Sequence, residues 1–481
     1  MPTLRSDLAE AVLLGVTCAA LVLLGGQMLF GAAEVGLSVD DYTHALRTDA
    51  WAKTGWYFPE YAFVGGEPDP SRAGIYTYGA ATSALAHLVN VALGNEGMGE
   101  ALTTADAYEG RHVVVALLGL ASVVAVGAGI WSLTRNWLAA IWGSAALVAI
   151  PGWTGYAMFA IKDIPVAAGF TFVTLGLILG LAQAGSQGRP AHGRTIAIGA
   201  LVAIGVLFGV GTRPAMWVPI LASLTAFGVL AWWATRSRVA TARHLAAPGL
   251  GFAFGIVGVV ALHPRLAGDP IKWLIESVSG TSEAARENVF TLTAGQFLSE
   301  FPPAWYLPAW TFASVPVLIF LIAAGGTMIA ARDAVRSRPA WSPNPARSVA
   351  VNPAVLLVGL QLLLLPAAAI ISGSATYSGL RQHLYILPPI AILAGIAAAR
   401  LLREGPSRNG RPRRVGWGAA LILCLALIVP AIEQTRLYPY NYVYINELAG
   451  IGGVEGRWET EQQFISVREA FRRVPRGVEP K

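Results

Sequence analysis

The sequence predicts an all-α membrane protein that crosses the bilayer many times. Of its 481 residues, 55% are hydrophobic and only 13% are charged, and the mean hydropathy is +0.55. A soluble domain carries about 25% charged residues. A helix needs about 20 apolar residues to cross a bilayer, and eleven apolar runs of that kind follow one another along the chain. We therefore expect about eleven transmembrane helices.

The apolar runs cover the chain from end to end. They lie near residues 11–31, 113–133, 137–158, 165–183, 195–211, 214–233, 246–262, 306–330, 352–371, 383–401 and 416–433. The first run is longer than a signal-peptide core of about 7 to 15 residues, which predicts a retained span.

Two stretches need a separate interpretation. Residues 195–234 would form a helix about 60 Å long at 1.5 Å per residue, twice the hydrocarbon core, so they predict two spans that turn at 211–214. Polar residues interrupt the apolar stretch 75–93, which predicts a membrane-surface or re-entrant helix.

Basic residues fix the expected orientation, because short cytoplasmic loops are rich in Lys and Arg. Every second loop is basic, with Arg135, Arg189, Arg194, Arg236, Arg238, Arg243, Arg332, Arg336, Arg338, Arg347, Arg400, Arg403, Arg408, Arg411, Arg413 and Arg414. This pattern predicts a cytoplasmic N-terminus, outer loops at about 32–111 and 263–305, and an extracytoplasmic C-terminus. We expect a transmembrane domain, 1–435, and a short outer tail, 436–481.

The composition also bears on nucleic-acid binding, on cysteine sites and on the source of the protein. The formal charge of +6 follows from scattered basic loops and does not indicate nucleic-acid binding. Cys18 and Cys424 both lie in apolar runs, without a second ligand at metal spacing, so a disulfide framework or thiolate metal site is not predicted. Heavy use of Ala, Gly, Arg and Val is typical of a GC-rich bacterium, and we expect the bacterial plasma membrane.

Several charged residues stand at the predicted outer ends of spans. Asp40 and Asp41 follow the first span, where a carboxylate can act as a general base or simply cap a helix. The short outer loops hold three isolated cations, Lys162, Arg213 and Arg381. A lipid phosphate would account for cations on this side. Intramolecular pairing, such as Lys162 with Asp163 or Arg213 with a first-loop carboxylate, is the structural alternative.

In order along the chain, several segments resemble the GT-C superfamily of integral-membrane glycosyltransferases. Within that superfamily they resemble the bacterial branch, which is related to protein O-mannosyltransferases and lipid A aminoarabinose transferases. The segments are Asp40-Asp41, Gly110-Arg111-His112 and residues 162–165, 303–308, 379–388 and 438–450.

This resemblance implies a GT-C fold with outer-face juxtamembrane helices. It also implies a hexosyl- or pentosyltransferase similar to glycosyltransferase family 39, with a polyprenyl-phosphate sugar donor and inversion at the anomeric carbon. The base would be the first of the acidic pair, Asp40, although Asp41 remains open. Asp163 would correspond to the family's outer-loop acid. Since Gln382 separates the usual Arg-His pair, either Arg381 or His383 would take the donor-phosphate role, beside Arg213 and Lys162.

The cofactor and the partners stay partly open. His44 follows Asp40 by four residues and Asp41 by three, so either carboxylate can share its helix face, and a divalent cation held by Asp, His and a distant carboxylate is one alternative. The acceptor is a protein, a polysaccharide or a glycolipid. The rival functions are a lipid or glycan transporter or flippase without transferase activity, and a scaffold. A transporter would place charges near mid-membrane in broken helices, whereas these charges lie at span ends.

Overall fold

The computed structural model describes residues 2–58, 63–64, 67–68, 76–184, 192–283, 289–336, 353–402 and 415–473. This part of the chain is mostly helical. The helices are α1 (Pro2–Glu34), α2 (Val39–Thr54), α3 (Ala81–Leu93), α4 (Ala105–Thr134), α5 (Trp137–Val148), α6 (Pro151–Ala157), α7 (Asp163–Ala184), α8 (His192–Thr212), α9 (Trp217–Thr235), α10 (Arg238–Leu262), α11 (Pro270–Glu283), α12 (Tyr306–Ser314), α13 (Val317–Arg336), α14 (Val355–Ser372), α15 (Leu387–Leu401), α16 (Trp417–Leu437) and α17 (Val467–Arg473).

The strands among the described residues form two short antiparallel hairpins. They are β1 (Phe63–Val64) with β2 (Glu67–Pro68), and β3 (Thr291–Thr293) with β4 (Gln296–Leu298). In the second hairpin Leu292 pairs with Phe297. Tight 3₁₀ turns occupy Pro214–Met216, Pro264–Gly268, Arg381–Ile386 and Asn441–Val443.

Long apolar helices dominate because a chain in lipid must satisfy its backbone polar groups internally. Among the described residues, nine helices are long and apolar enough to cross a membrane, and the number is eleven if two bent pairs each count as one span. The predicted multi-pass, all-α membrane fold is confirmed. The predicted division of 195–234 is also found, since α8 ends at Thr212 and α9 starts at Trp217.

Two predicted spans are broken rather than straight. Helices α5 and α6 meet at a bend of 65°, and α12 and α13 at a bend of 117°. Each break precedes a proline, which disfavours helical geometry in the residue before it. Accordingly Ile150, before Pro151, and Val315, before Pro316, adopt extended backbone angles. The apolar stretch 75–93 likewise yields only a short helix, α3, and Ile75 lies outside the described residues.

Helices α7 and α15 form the buried centre of the bundle. Helix α7 packs against α4, α8 and the turn Arg381–Ile386. Gly169 permits the closest approach, because a Cβ there would lie 2.5 Å from the backbone nitrogen of Gly209. Small residues at such crossings let two backbones pack directly in a membrane.

The tail after α16 folds back onto the bundle. The backbone N–H of Asn446 donates to the carbonyl of Ala313 at 2.8 Å, and the Asn446 amide bonds the carbonyl of Val315 at 3.0 Å. Arg468 donates to the carbonyls of Ala33 and Val35 at the end of α1, each at 3.0 Å. Hairpin β3–β4 also contacts the tail, since the N–H of Gly295 donates to the carbonyl of Arg457. The tail, the start of the first loop and this hairpin therefore lie at one end of the bundle, which we call the site end.

Candidate functional site

The first element of the site is the start of α2, which Asp41 fixes. Ser38 is the N-cap, and its side chain accepts the backbone N–H of Asp41 at 3.1 Å. In return the Asp41 carboxylate accepts the backbone N–H of Ser38 at 2.7 Å, which completes a capping box. The same carboxylate oxygen lies 3.1 Å from Nε2 of His112. Asp41 is fully buried and holds the local structure.

Asp40 points to different partners, because neighbouring residues on a helix are about 100° apart. One carboxylate oxygen accepts from Nζ of Lys162 at 2.7 Å, and the other pairs with Nη1 of Arg381. Lys162 immediately precedes α7, and Arg381 begins a 3₁₀ turn. Both cations are buried. Asp40 thus joins three distant segments of the chain.

Asp163 extends the ion pairs. Its Oδ1 accepts from Nη2 of Arg213 at 2.6 Å, and its Oδ2 lies 3.6 Å from Nη1 of Arg381. The result is a run of alternating charges, Lys162, Asp40, Arg381, Asp163 and Arg213, which we call the charge cluster. Three cations against two carboxylates leave one net positive charge.

The isolated cations are therefore paired within the chain, as the structural alternative predicted, but the partners given there as examples are wrong. Lys162 pairs with Asp40 rather than with its sequence neighbour Asp163, and Arg213 pairs with Asp163 rather than with a first-loop carboxylate. Lys162 precedes α7 and reaches Asp40, while the carboxylate of Asp163, the first residue of α7, contacts Arg213 and Arg381.

The cations control the ionisation of Asp40. Burial alone would raise the pKa of this carboxyl, but the charges of Lys162 and Arg381 hold its pKa well below the usual range. Asp40 is therefore a carboxylate at neutral pH and a weak base while both cations contact it.

Two guanidinium donors in the cluster lack partners. Nε of Arg213 and Nε of Arg381 are buried and make no hydrogen bond to any described residue. Buried donors are normally paired, because leaving one unpaired costs about 1 to 3 kcal/mol. Unpaired cationic donors in a net positive site favour an anionic ligand.

Tyr78 belongs to the site although the sequence analysis assigned it no role there. Its ring lies 5.0 Å from Nζ of Lys162 and 5.2 Å from Cζ of Arg47, which are cation–π distances. The positive charge of Lys162 lowers the pKa of Tyr78. Gly79 lets this loop reach the Arg213 turn, since a Cβ there would lie 2.3 Å from the carbonyl oxygen of Gly211.

The two histidines occupy different surroundings. His44 is buried beside the cluster, where its Nδ1 lies 2.6 Å from the Tyr57 hydroxyl and its ring meets the Tyr78 ring edge-on at 5.3 Å. Burial, together with the charge of Lys162, lowers the pKa of His44 well below its usual value, so this ring is neutral. His383 packs against the Tyr385 ring at 5.6 Å, and Arg381 takes the contacts with the carboxylates.

The divalent-cation hypothesis finds no ready set of ligands. Within the described residues, no three His, Cys, Asp or Glu side chains stand close enough to hold a metal ion. Both oxygens of Asp40 are occupied by cationic side chains.

The fold is similar to two solved membrane proteins. ArnT from Cupriavidus metallidurans bound to undecaprenyl phosphate aligns at a TM-score of 0.52 and 17% identity, over 85% of this chain and 61% of ArnT. The archaeal oligosaccharyltransferase AglB from Archaeoglobus fulgidus, in complex with an inhibitory peptide and a dolichol-phosphate, aligns at 0.50 and 12%, over 92% of this chain and 56% of AglB.

These similarities concern the fold. The chain has the GT-C fold that its motifs predicted. It spans about three fifths of the length of the ArnT chain. No protein-family model matches the sequence, and no curated protein matches it.

Proposed function

We propose that the protein is a glycosyltransferase that moves a sugar from a polyprenyl-phosphate donor to an acceptor hydroxyl. Transfer takes place with inversion at the outer face of a bacterial plasma membrane. The similar structures contain undecaprenyl phosphate and dolichol-phosphate, respectively, which supports a lipid-phosphate ligand on this fold. The acceptor belongs to a protein, a polysaccharide or a glycolipid, and the transferred sugar is a hexose or a pentose.

The observation that carries this proposal is the composition of the charge cluster. A phosphate monoanion or dianion complements its net positive charge, and the free Nε donors of Arg213 and Arg381 match phosphate oxygens. The cluster stands at the ends of helices apolar enough to cross a membrane, so a carrier lipid can present its phosphate there while its chain stays in the bilayer.

The contacts of each residue in the charge cluster support its proposed role. Arg381, Arg213 and Lys162 bind the phosphate and stabilise the charge that develops on it as it leaves. Asp163 holds both arginines in place. Asp40 accepts the proton of the acceptor hydroxyl. The acceptor oxygen then bonds to the anomeric carbon from the face opposite the phosphate, and the carbon–oxygen bond to phosphate breaks with its electron pair on the departing oxygen.

Donor binding would also activate the base. In the structure Asp40 is restrained by two cations. A phosphate that draws Lys162 and Arg381 to itself weakens those pairs, so the pKa of Asp40 rises towards its ordinary value and the carboxylate becomes a better proton acceptor.

The site end of the bundle faces outward, with the N-terminus in the cytoplasm and the tail outside. The alternation of basic loops along the sequence supports this orientation.

A transfer assay tests the proposal. Membranes containing the protein are incubated with a panel of radiolabelled polyprenyl-phosphate sugars, and label that moves from the donor lipid to a protein, a polysaccharide or a glycolipid is measured. Arg381→Ala should weaken donor binding more than Arg381→Lys, which keeps the charge but loses the planar donor fork. Arg436→Ala is the matched control, because Arg436 is exposed and, among the described residues, forms its ion pair with Glu433 on the same helix. Equal donor affinity in wild type and Arg381→Ala would remove Arg381 from the site.

A further inference from the structure

Arg381 follows a turn whose backbone is unusual. Two consecutive residues, Ser378 and Gly379, have φ angles of 56° and 62°, and the first of these is strained because it carries a side chain. Bonds from elsewhere hold the turn: the N–H of Ser378 donates to Oγ1 of Thr291 at 3.1 Å, and the N–H of Gly379 donates to the hydroxyl of Tyr306 at 2.9 Å.

The C-terminal tail fixes the hairpin that supplies Thr291. The N–H of Glu459 donates to the carbonyl of Leu292 at 2.9 Å, and the N–H of Leu292 donates to the Glu459 carboxylate at 3.1 Å. The N–H of Gly295 donates to the carbonyl of Arg457 at 2.9 Å. The tail thus lies alongside β3 and the turn of its hairpin.

The tail also touches the turn directly. A Cβ on Gly379 would lie 2.9 Å from Nε2 of Gln462 and 3.1 Å from the ring of Trp310, so these groups enclose the turn. The hydroxyl of Tyr156 donates to Oε1 of Gln462 at 2.6 Å and ties the tail to α6. Trp458 of the tail meets Trp310 edge-on at 5.0 Å.

We propose that tail residues 457–463 form a clamp that sets the position of Arg381 in the donor site. Tyr306 and Gln462 are positioning residues: they hold the 378–379 turn, which in turn directs the Arg381 guanidinium to the phosphate. This inference rests on the proposed function, because it assumes that Arg381 binds the donor phosphate. It makes the tail a part of the donor site rather than an appendage to the membrane domain.

Binding of undecaprenyl phosphate tests the clamp. The full chain is reconstituted in nanodiscs, and equilibrium binding is measured for Tyr306→Phe and Gln462→Ala, each alone and combined with Arg381→Ala. A melting curve confirms that each variant is folded. Loss of one hydrogen bond should weaken binding about two- to tenfold in the wild-type background. In the Arg381→Ala background the same change should have no further effect, because residues that act through one partner are not additive.

Tyr444→Phe is the matched control. Tyr444 is a buried tail tyrosine whose hydroxyl bonds Glu447 rather than the 378–379 turn. The affinity of Tyr444→Phe for undecaprenyl phosphate should therefore stay within about twofold of wild type. A loss in Tyr306→Phe or Gln462→Ala that disappears with Arg381→Ala supports the clamp. Unchanged binding in both variants, or equal losses in both backgrounds, overturns it while leaving the function intact. Full binding by Arg381→Ala alone would instead refute the donor role and, with it, this inference.

Discussion

Replacing Asp40 by Asn should separate catalysis from donor binding. The amide keeps the size of the carboxylate and most of its hydrogen bonding, but it can no longer accept the proton of the acceptor. The change also raises the net charge of the cluster from one positive to two, because Lys162 and Arg381 lose their shared counter-ion.

Asp40→Asn should lower the rate of transfer but should retain or increase the affinity for the donor. General-base catalysis is worth about 10² to 10⁴ in rate, so turnover should fall by that factor. Breaking a buried ion pair by removing one partner costs about 3 to 5 kcal/mol of stability. A bound phosphate restores a counter-ion, so donor affinity should be retained or increased, and the carrier lipid should raise the melting temperature of Asp40→Asn more than that of wild type.

Single-turnover transfer of a radiolabelled donor measures the first effect, and melting with and without undecaprenyl phosphate measures the second. Asp41→Asn is the matched control, since the same chemical change one residue along affects the capping box and the contact with His112 rather than the charge cluster; it should cost about 1 to 3 kcal/mol of stability with a smaller loss of rate. Near-wild-type transfer by Asp40→Asn would contradict the proposed base. If both variants transfer normally, Asp163 becomes the next candidate.

Three further predictions concern pH, stability and topology. Burial lowers the pKa of His263 to about 4, so between about pH 6.5 and 4 only the unfolded chain binds a proton at this residue. The free energy of unfolding should therefore fall by up to about 1.4 kcal/mol for each unit by which the pH is lowered through this window. His263→Gln should flatten the slope of melting temperature against pH. Glu96→Gln leaves the buried guanidinium of Arg111 without its carboxylate and should destabilise the chain by about 3 to 5 kcal/mol in denaturation; a loss below 1 kcal/mol would contradict this. Cysteines placed at Ser6 and Ser466 should label from opposite sides of the membrane, and labelling from one side would refute the expected topology.

Much of the fold was predictable because membrane constraints act locally. Apolar runs of span length became helices, and the turn at 211–214 followed from the length limit alone. The candidate site was partly predictable for the same reason. Lys162, Arg213 and Arg381 were singled out as lone cations at the outer ends of spans, and the structure brings all three into one cluster with Asp40 and Asp163.

What sequence reasoning missed depends on contacts between distant segments. The partner of each cation is decided by how α2, α7 and the Arg381 turn pack, and no local pattern encodes that choice. In the sequence Tyr78 is one of the polar residues that interrupt the apolar stretch 75–93, while its role beside Lys162 depends on the approach of Gly79 to the α8 turn. One missed feature had a readable signal: Ser38 stands three residues before Asp41, the spacing of a capping box, which favours Asp41 as the structural member of the pair.

The ion pairs of Asp40 with Lys162 and Arg381 affect the order of donor binding and acceptor activation. Without a donor, buried Lys162 and Arg381 need counter-ions, and Asp40 and Asp163 provide them. The carboxylate that neutralises these cations is the proposed base, so it cannot both restrain them and accept a proton efficiently. A phosphate that enters the site relieves the cations and frees the carboxylate in the same step. Under the proposed mechanism the acceptor hydroxyl is therefore deprotonated only when a donor is in place, which favours donor binding before acceptor activation.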